Sequence, residues 1–258
     1  MARGPRRSQK PSLYIGLMGK LNFTAMVRAW PGAGACQVCR NWGPGRLCTA
    51  CVQRFAPALP RCARCGLRTA LPLPACGECL RDPPPWRSTS CAVDYGFPWD
   101  SLVARFKFQG QAELATALSS LMLQAQRPDV QALLPVPLAP GRLAERGYNQ
   151  AWELARRLGA ALGLPARADV LLRPVATSAQ AELTRAERQR NLRAAFMVAP
   201  DQRAWLQGRQ VALVDDVMTT GATAREATAT LLRAGAASVD LWMLARTPNP
   251  AQAGKGGH

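Results

Sequence analysis

Histidine is almost missing from this chain; the one copy, His258, is the last residue. No imidazole is therefore available in the body of the sequence as a general base, a nucleophile or a metal ligand. There is no Gly-Lys-Ser/Thr triplet, which removes a Walker-type triphosphate loop. No G-x-G-x-x-G follows a strand-like run, which removes a Rossmann dinucleotide site. No stretch approaches the roughly 20 apolar residues that a membrane helix needs, so no membrane insertion is expected. Acidic residues are scarce, 16 against 33 basic ones, for a formal charge of +17. That excess is mostly arginine and is spread along the chain. It attracts polyanions, whether a phosphorylated substrate or nucleic acid, and does not by itself choose between them.

What is abundant is paired cysteine. Eight of the nine cysteines form four C-x-x-C pairs: Cys36/Cys39, Cys48/Cys51, Cys62/Cys65 and Cys76/Cys79. Two intervening residues let both thiolates of a pair face one tetrahedral ion, so four pairs supply the ligands of two structural Zn²⁺ ions in all-cysteine sites. Gly66 and Gly77, each directly after a cysteine, suit tight knuckles. Neighbouring pairs suggest two ribbons in series, while a crossed arrangement has equally compatible spacings. A secreted disulfide scaffold would need a signal peptide, and Leu13 to Trp30 is interrupted by Lys20, Asn22 and Arg28. The expectation is a cytoplasmic protein. Cys91 stands alone in apolar surroundings and reads as a small core residue.

The chain is long enough for one sizeable core plus a small module. Residues 1–30 read as a flexible basic extension, 31–82 as the double zinc module, 88–247 as the main domain and 248–258 as a flexible tail. Arg81-Asp-Pro-Pro-Pro-Trp86 is a stiff linker. Beyond it, strand-like Ala92–Tyr95 is followed by apolar Leu102–Phe106 and a helix over about 112–125. Strand-like 132–138, with Pro135 and Pro137 near its end, precedes a helix over 149–162 that Asn149 is placed to cap. A short strand around 170–172, a polar stretch over 177–191, the run Val211–Val214, a helix over 223–234 and a last strand over 239–244 follow. Such alternation predicts an α/β fold, a parallel sheet with helices on both faces.

Val211-Ala-Leu-Val214 runs straight into Asp215 and Asp216, then into Met218 to Thr223 and a helical pattern. A continuous apolar run is an interior parallel strand, and open α/β sheets bind ligands at the carboxyl ends of such strands. A following helix offers unpartnered N–H groups to an anion. Thr219, Thr220 and Thr223 add hydroxyls, while Gly221 lets the backbone approach a phosphate closely. Two acceptor-only carboxylates beside a phosphate cradle suit a ribose 5-phosphate. The segment resembles the phosphoribosyl-pyrophosphate (PRPP) signature of type I phosphoribosyltransferases.

The order of further motifs is equally specific: four C-x-x-C pairs, Arg105-Phe-Lys107-Phe-Gln-Gly110, Pro135-Val-Pro137, Arg146-Gly-Tyr-Asn149-Gln150, and Gln180-x-x-Leu183 with Arg188 and Asn191. From about Cys36 to Arg246 the chain resembles the ComF family, including its GntX-type members: phosphoribosyltransferase-like proteins with a zinc module, associated with natural competence and DNA uptake or utilisation. The resemblance implies that Asp215 and Asp216 hold ribose hydroxyls, and that Thr219, Thr220, Gly221, Ala222 and Thr223 hold the 5-phosphate. It makes Arg142, Arg146 and Lys107 candidates for the pyrophosphate. It places Gln180, Arg185 and Arg188 in a flexible hood over the substrate, with Mg²⁺ arriving with PRPP. Chemistry of this kind displaces pyrophosphate from C1 through an oxocarbenium-like state, by clamping and water exclusion. DNA-uptake proteins and single-stranded DNA are the implied partners. Trp30, Arg40, Trp42, Arg46, Arg54, Phe55, Arg61, Arg64 and Arg68, in and around the cysteine module, suit the DNA. Two other readings are a nucleic-acid module that senses PRPP without chemistry, and a purine or pyrimidine salvage transferase. The eight-cysteine module argues against the salvage reading.

Overall fold

The computed structural model describes residues 33–125, 130–174 and 195–248. The proposed N-terminal extension, Trp30, the hood residues Gln180, Arg185 and Arg188, and most of the tail lie outside them.

The chain opens with a small antiparallel hairpin, β1 (Ala33–Ala35) and β2 (Trp42–Pro44), followed by α1 (Thr49–Phe55). A second cysteine-rich turn runs into α2 (Gly77–Arg81). The main layer then alternates: β3 (Thr89–Asp94), α3 (Trp99–Phe108), α4 (Leu114–Ala125), β4 (Ala132–Pro135), α5 (Pro140–Arg146) and α6 (Gln150–Leu162). A two-stranded antiparallel ladder, β5 (Leu171–Leu172) with β6 (Met197–Val198), and a short α7 (Arg203–Leu206) lead to β7 (Gln210–Met218), α8 (Ala222–Arg233) and β8 (Ser238–Arg246). The main sheet has the order β3-β8-β7-β4, parallel throughout. The expected fold class, a parallel α/β sheet covered on both faces and preceded by a Cys₄ module, is what the chain adopts.

Strand alternation sorts the core into two layers. Val211 and Leu213 of β7 and Leu241 and Met243 of β8 pack with Ala224, Ala227 and Leu231 of α8. Their neighbours Ala212, Val214, Trp242 and Leu244 face the other way, onto Leu102 and Phe106 of α3, Leu118 of α4 and Leu158 of α6. Both faces of β7 are buried, which is why it reads as an unbroken apolar run.

Three elements differ from expectation for physical reasons. Leu102–Phe106 belongs to a helix, because Trp99, Leu102, Val103 and Phe106 recur at helical spacing and all turn inward. The strand over 132–138 stops at Pro135, although Val136 still donates to the Val214 carbonyl. The signature strand does not end at Val214. It continues through both carboxylates to Met218, because β8 pairs with it as far as Arg246.

The ribbons lie against this layer. Val38, Leu47, Val52 and Phe55 of the first pack on the α3/α4 face. The Trp99 indole donates to the Phe55 carbonyl at 2.7 Å and Arg105 to Gln37 Oε1 at 2.6 Å.

Candidate phosphoribosyl site and cysteine clusters

The eight paired cysteines converge as two groups in series: Cys36, Cys39, Cys48 and Cys51, then Cys62, Cys65, Cys76 and Cys79, each with its four sulfurs within 4.8 Å of one another. The crossed pairing left open by the spacings is thereby excluded. Cys39 and Cys48 Sγ lie 3.7 Å apart, as do Cys65 and Cys76, and Cys62 and Cys79 lie 4.0 Å apart. Those separations are far longer than a disulfide of about 2.05 Å. They match the edge of about 3.8 Å of a tetrahedron built on Zn–S bonds of about 2.3 Å. The ribbons repeat each other in detail. The third cysteine of each, Cys48 or Cys76, is the N-cap of the short helix carrying the fourth. Its N–H donates to the first cysteine's sulfur, at 3.4 Å on Cys36 and 3.1 Å on Cys62.

The sulfurs of a cluster also differ in how readily they ionise. Burial would raise Cys36, but N–H groups of Cys39, Cys48 and Val38 outweigh it and bring its pKa to about 6. Burial and neighbouring cysteines push Cys51 up to about 12. Four thiolates cannot form this close together unless a metal ion compensates them. The donor set fits Zn²⁺, closed and structural. Gly66 takes φ +70° after Cys65, and a side chain there would press on Thr89 Cγ2 at 3.0 Å. Gly77 needs no such freedom and simply starts α2. Cys91 is a buried core residue as expected, its thiol raised by burial to about 11.

At the carboxyl end of β7, alternation separates the acidic pair. Asp215, half-buried, lines a small cleft with Met218, Thr219, Thr220, Gly221 and Ala222. Asp216 is 6% exposed and sits on the opposite face, where Lys107 Nζ from the end of α3 meets its Oδ1 at 2.9 Å. Lys107 thus reaches the acidic pair directly. Burial first, and Asp216 second, lift the Asp215 carboxyl to about 7, against the pull of Lys107 and Arg146. The same Asp215 accepts the Asp216 N–H at 2.9 Å.

The loop after β7 turns on Gly221, whose φ of +79° is left-handed, and passes into α8 without a side-chain N-cap. A helix begun this way presents unpartnered N–H groups and the positive end of its dipole. The Thr220 hydroxyl accepts the Ala222 N–H at 3.4 Å. A Cβ at Gly221 would meet Trp86 at 3.4 Å and Met218 Sδ at 3.7 Å.

Arg142 and Arg146 stand one turn apart on α5. Arg142 is exposed; Arg146 lies over the Phe108 ring at 4.9 Å and donates to Gln150 Oε1 at 3.0 Å. Asn149 caps α6, accepting the N–H groups of Ala151 and Trp152. Gln150, for which no role was expected, is 1% exposed, and its Nε2 has no partner among the described residues. The signal for it was a glutamine at the first position of an apolar helix. Of the proposed DNA-facing residues, Arg61 pairs with Asp94 at 2.6 Å and Arg64 donates to Pro84 and Arg87 carbonyls, so both serve the fold. Trp42 is 81% exposed, with Arg40, Arg46 and Arg54 exposed on the same ribbon. A roomier cavity of about 600 Å³ between this ribbon and α4 is lined by Gly34, Arg46, Glu113 and Thr116 and holds neither Asp215 nor Asp216 nor any residue of the 219–223 loop.

No family model matches the chain. Over 228 residues it is 36% identical to the DNA utilization protein YhgH of Salmonella typhi, covering 83% of this chain and 97% of that protein. Over 208 residues it is 35% identical to competence protein F of Haemophilus influenzae, covering 78% and 90%. The chain belongs to the ComF family. Competence protein ComFC of Bacillus subtilis is a more distant relative, 31% identical over 173 residues, with 65% of this chain and 68% of that protein covered. Among solved structures, glutamine PRPP amidotransferase from B. subtilis overlaps 52% of this chain and 26% of its own at 19% identity and a TM-score of 0.39, too loose to add to the sheet order above. This ComF protein joins two four-cysteine clusters to a four-stranded parallel sheet. Among the described residues, no helix is long and apolar enough to cross a membrane.

Proposed function

We propose that this ComF protein binds PRPP with Mg²⁺ and acts as a phosphoribosyltransferase-like protein in the uptake or use of DNA. One observation carries the reading: Asp215 opens into the cleft formed by the Thr219–Thr223 loop at the uncapped start of α8. A carboxylate beside a phosphate cradle is what a ribose 5-phosphate requires. Asp215 and Asp216 hold the ribose hydroxyls, the loop holds the 5-phosphate, and Arg142, Arg146 and Lys107 meet the pyrophosphate. Lys107, bonded to Asp216, releases that carboxylate as the ligand's own anion takes over the ammonium group. Mg²⁺ arriving with PRPP would supply charge neutralisation for the pyrophosphate, and the chain's share is positioning and water exclusion.

Single-stranded DNA is the second ligand, favoured by exposed Trp42 among Arg40, Arg46 and Arg54 on the first ribbon. The names of the relatives, in DNA utilization and competence, support this partner and the proteins that deliver it.

The test is titration calorimetry with PRPP and Mg²⁺, followed by a pyrophosphate-release assay over candidate acceptors. Asp215→Asn with Asp216→Asn should lose roughly 2–4 kcal/mol of PRPP binding, the scale of charge-assisted bonds in a desolvated site. Equal affinity in the double variant would make the signature a relic.

A further inference from the structure

The two ribbons look alike but meet the main layer in different places. The first touches α3 and α4. The second touches the phosphate loop, through one buried side chain. Arg246, 8% exposed, ends β8 beside Met218 in the sheet register. Its guanidinium donates in two directions. Nε bonds the carbonyl of Cys65, a ligand of the second cluster, at 3.0 Å. Nη1 bonds the carbonyls of Met218, at 3.0 Å, and Thr219, where the loop begins, and that of Thr247 at 2.9 Å. The knuckle is held again one residue earlier. The Arg64 carbonyl accepts both the Trp86 indole N–H, at 2.5 Å, and the Thr89 hydroxyl, at 2.6 Å. Trp86 in turn forms the wall behind Gly221. An outer contact, Arg225 to Asp82 at 2.8 Å, joins the first turn of α8 to the end of the second ribbon; both side chains are well exposed, so it contributes little.

A guanidinium presents several donors in a fixed plane, so it fixes the relative position of everything that accepts from it. The Cys65 carbonyl is held by the fold of the second cluster. The Met218 and Thr219 carbonyls set where the loop leaves the strand, and hence where its N–H groups point. We propose that the second ribbon, not the first, sets the shape of the phosphate loop, with Arg246 as the positioning residue that transmits it. Its consequence for ligand affinity rests on the PRPP reading above; the coupling itself does not.

Hydrogen–deuterium exchange on the full-length, zinc-loaded protein tests the coupling without any ligand. Arg246→Lys keeps the charge but cannot bridge both carbonyl sets. With both zinc ions retained, its 218–223 amides should exchange about tenfold or more faster than wild type, the response to losing a local brace. Cys39→Ser, which breaks the first cluster, should leave those amides unchanged. Loop exchange that is unchanged in Arg246→Lys, or equally raised in Cys39→Ser, overturns the proposal. Should Arg246→Lys not fold, the coupling is read in the opposite direction, since it must be reciprocal. In protein loaded with ¹¹³Cd, Gly221→Ala should shift the cadmium resonance of the second cluster alone. A shift of neither resonance, or of both alike, overturns it. PRPP calorimetry is a separate arm. If wild type binds PRPP, Arg246→Lys should weaken it about tenfold, as for one lost positioning contact. If wild type binds none, the PRPP reading fails and the exchange result still decides the coupling.

Discussion

Asp215→Asn should make this protein more stable, and only above a certain pH. The carboxyl of Asp215 is raised from 3.8 to about 7, first by burial and then by Asp216. The folded chain therefore holds this proton more tightly than the unfolded chain does. Stability from this group is fully present below the unfolded value and declines as pH rises towards the folded one. Each tenfold gain in proton affinity is worth about 1.36 kcal/mol, so the full rise would amount to about 4 kcal/mol. Asp215 is only half-buried and opens into a cleft, so solvent screening reduces this to about 2 kcal/mol. Asparagine cannot ionise, yet its amide oxygen can still accept the Asp216 N–H. Near pH 8 the variant should melt about 4–8 °C above wild type, at about 2–4 °C per kcal/mol for a domain of this size. Near pH 4 the two should coincide. Thermal melts of both proteins from pH 4 to 8 measure it, with the difference cancelling titration of groups the two share. Parallel curves, or a variant less stable at pH 8, would refute the reasoning. A loss of PRPP affinity in the more stable protein would show that Asp215 is kept for its ligand at the expense of the fold.

Elemental analysis of protein made under reducing conditions should find close to two zinc ions per chain; none would defeat the cluster reading. Cys62→Ser should lose one ion and lower the melting temperature, because structural zinc sites supply folding free energy, and unchanged metal content would remove Cys62 from the ligands. Gly221→Ala places a side chain at φ +79° against Trp86 and should destabilise by about 1–2 kcal/mol, with weaker PRPP binding; an unchanged melt and affinity would mean the loop does not need that backbone. Trp42→Ala should weaken single-stranded DNA binding by about 1–3 kcal/mol, the worth of one stacked base, with the salt slope unchanged. Gel shifts over a salt series measure it, and equal affinity would take the first ribbon out of the DNA surface.

The elements that repeat a strong local pattern were legible in sequence. Val211–Val214 announced an interior strand because both of its faces are buried, and Asn149 announced a cap because its side-chain oxygen accepts the first N–H groups of the helix. The eight ligands followed from spacing alone. Which pairs share an ion did not, since that depends on how the first and second ribbons fold back. The acidic pair was legible as a pair, but its separation onto two faces required knowing that the strand continues past Val214, and that follows from the length of β8. Lys107 was named only through the Arg105–Gly110 motif; its meeting with Asp216 depends on how α3 crosses the sheet. Arg246 gave little sign, being one arginine after an apolar run in a chain full of arginines. Its role comes from a contact spanning the distance between Cys65 and the end of the last strand.

That span sets an order of events. Among the described strands β8 comes last in the sequence, yet it lies inside the sheet, as the pairing partner of both β3 and β7. Both ribbons are made before any strand of the main sheet, while β3 waits for a partner made some 150 residues later. The carbonyls of Met218 and Thr219 gain their guanidinium partner only when Arg246 arrives. A chain cut short before β8 would still carry eight cysteines and the whole Asp215–Thr223 signature, but neither the strand beside that signature nor the side chain that shapes its loop.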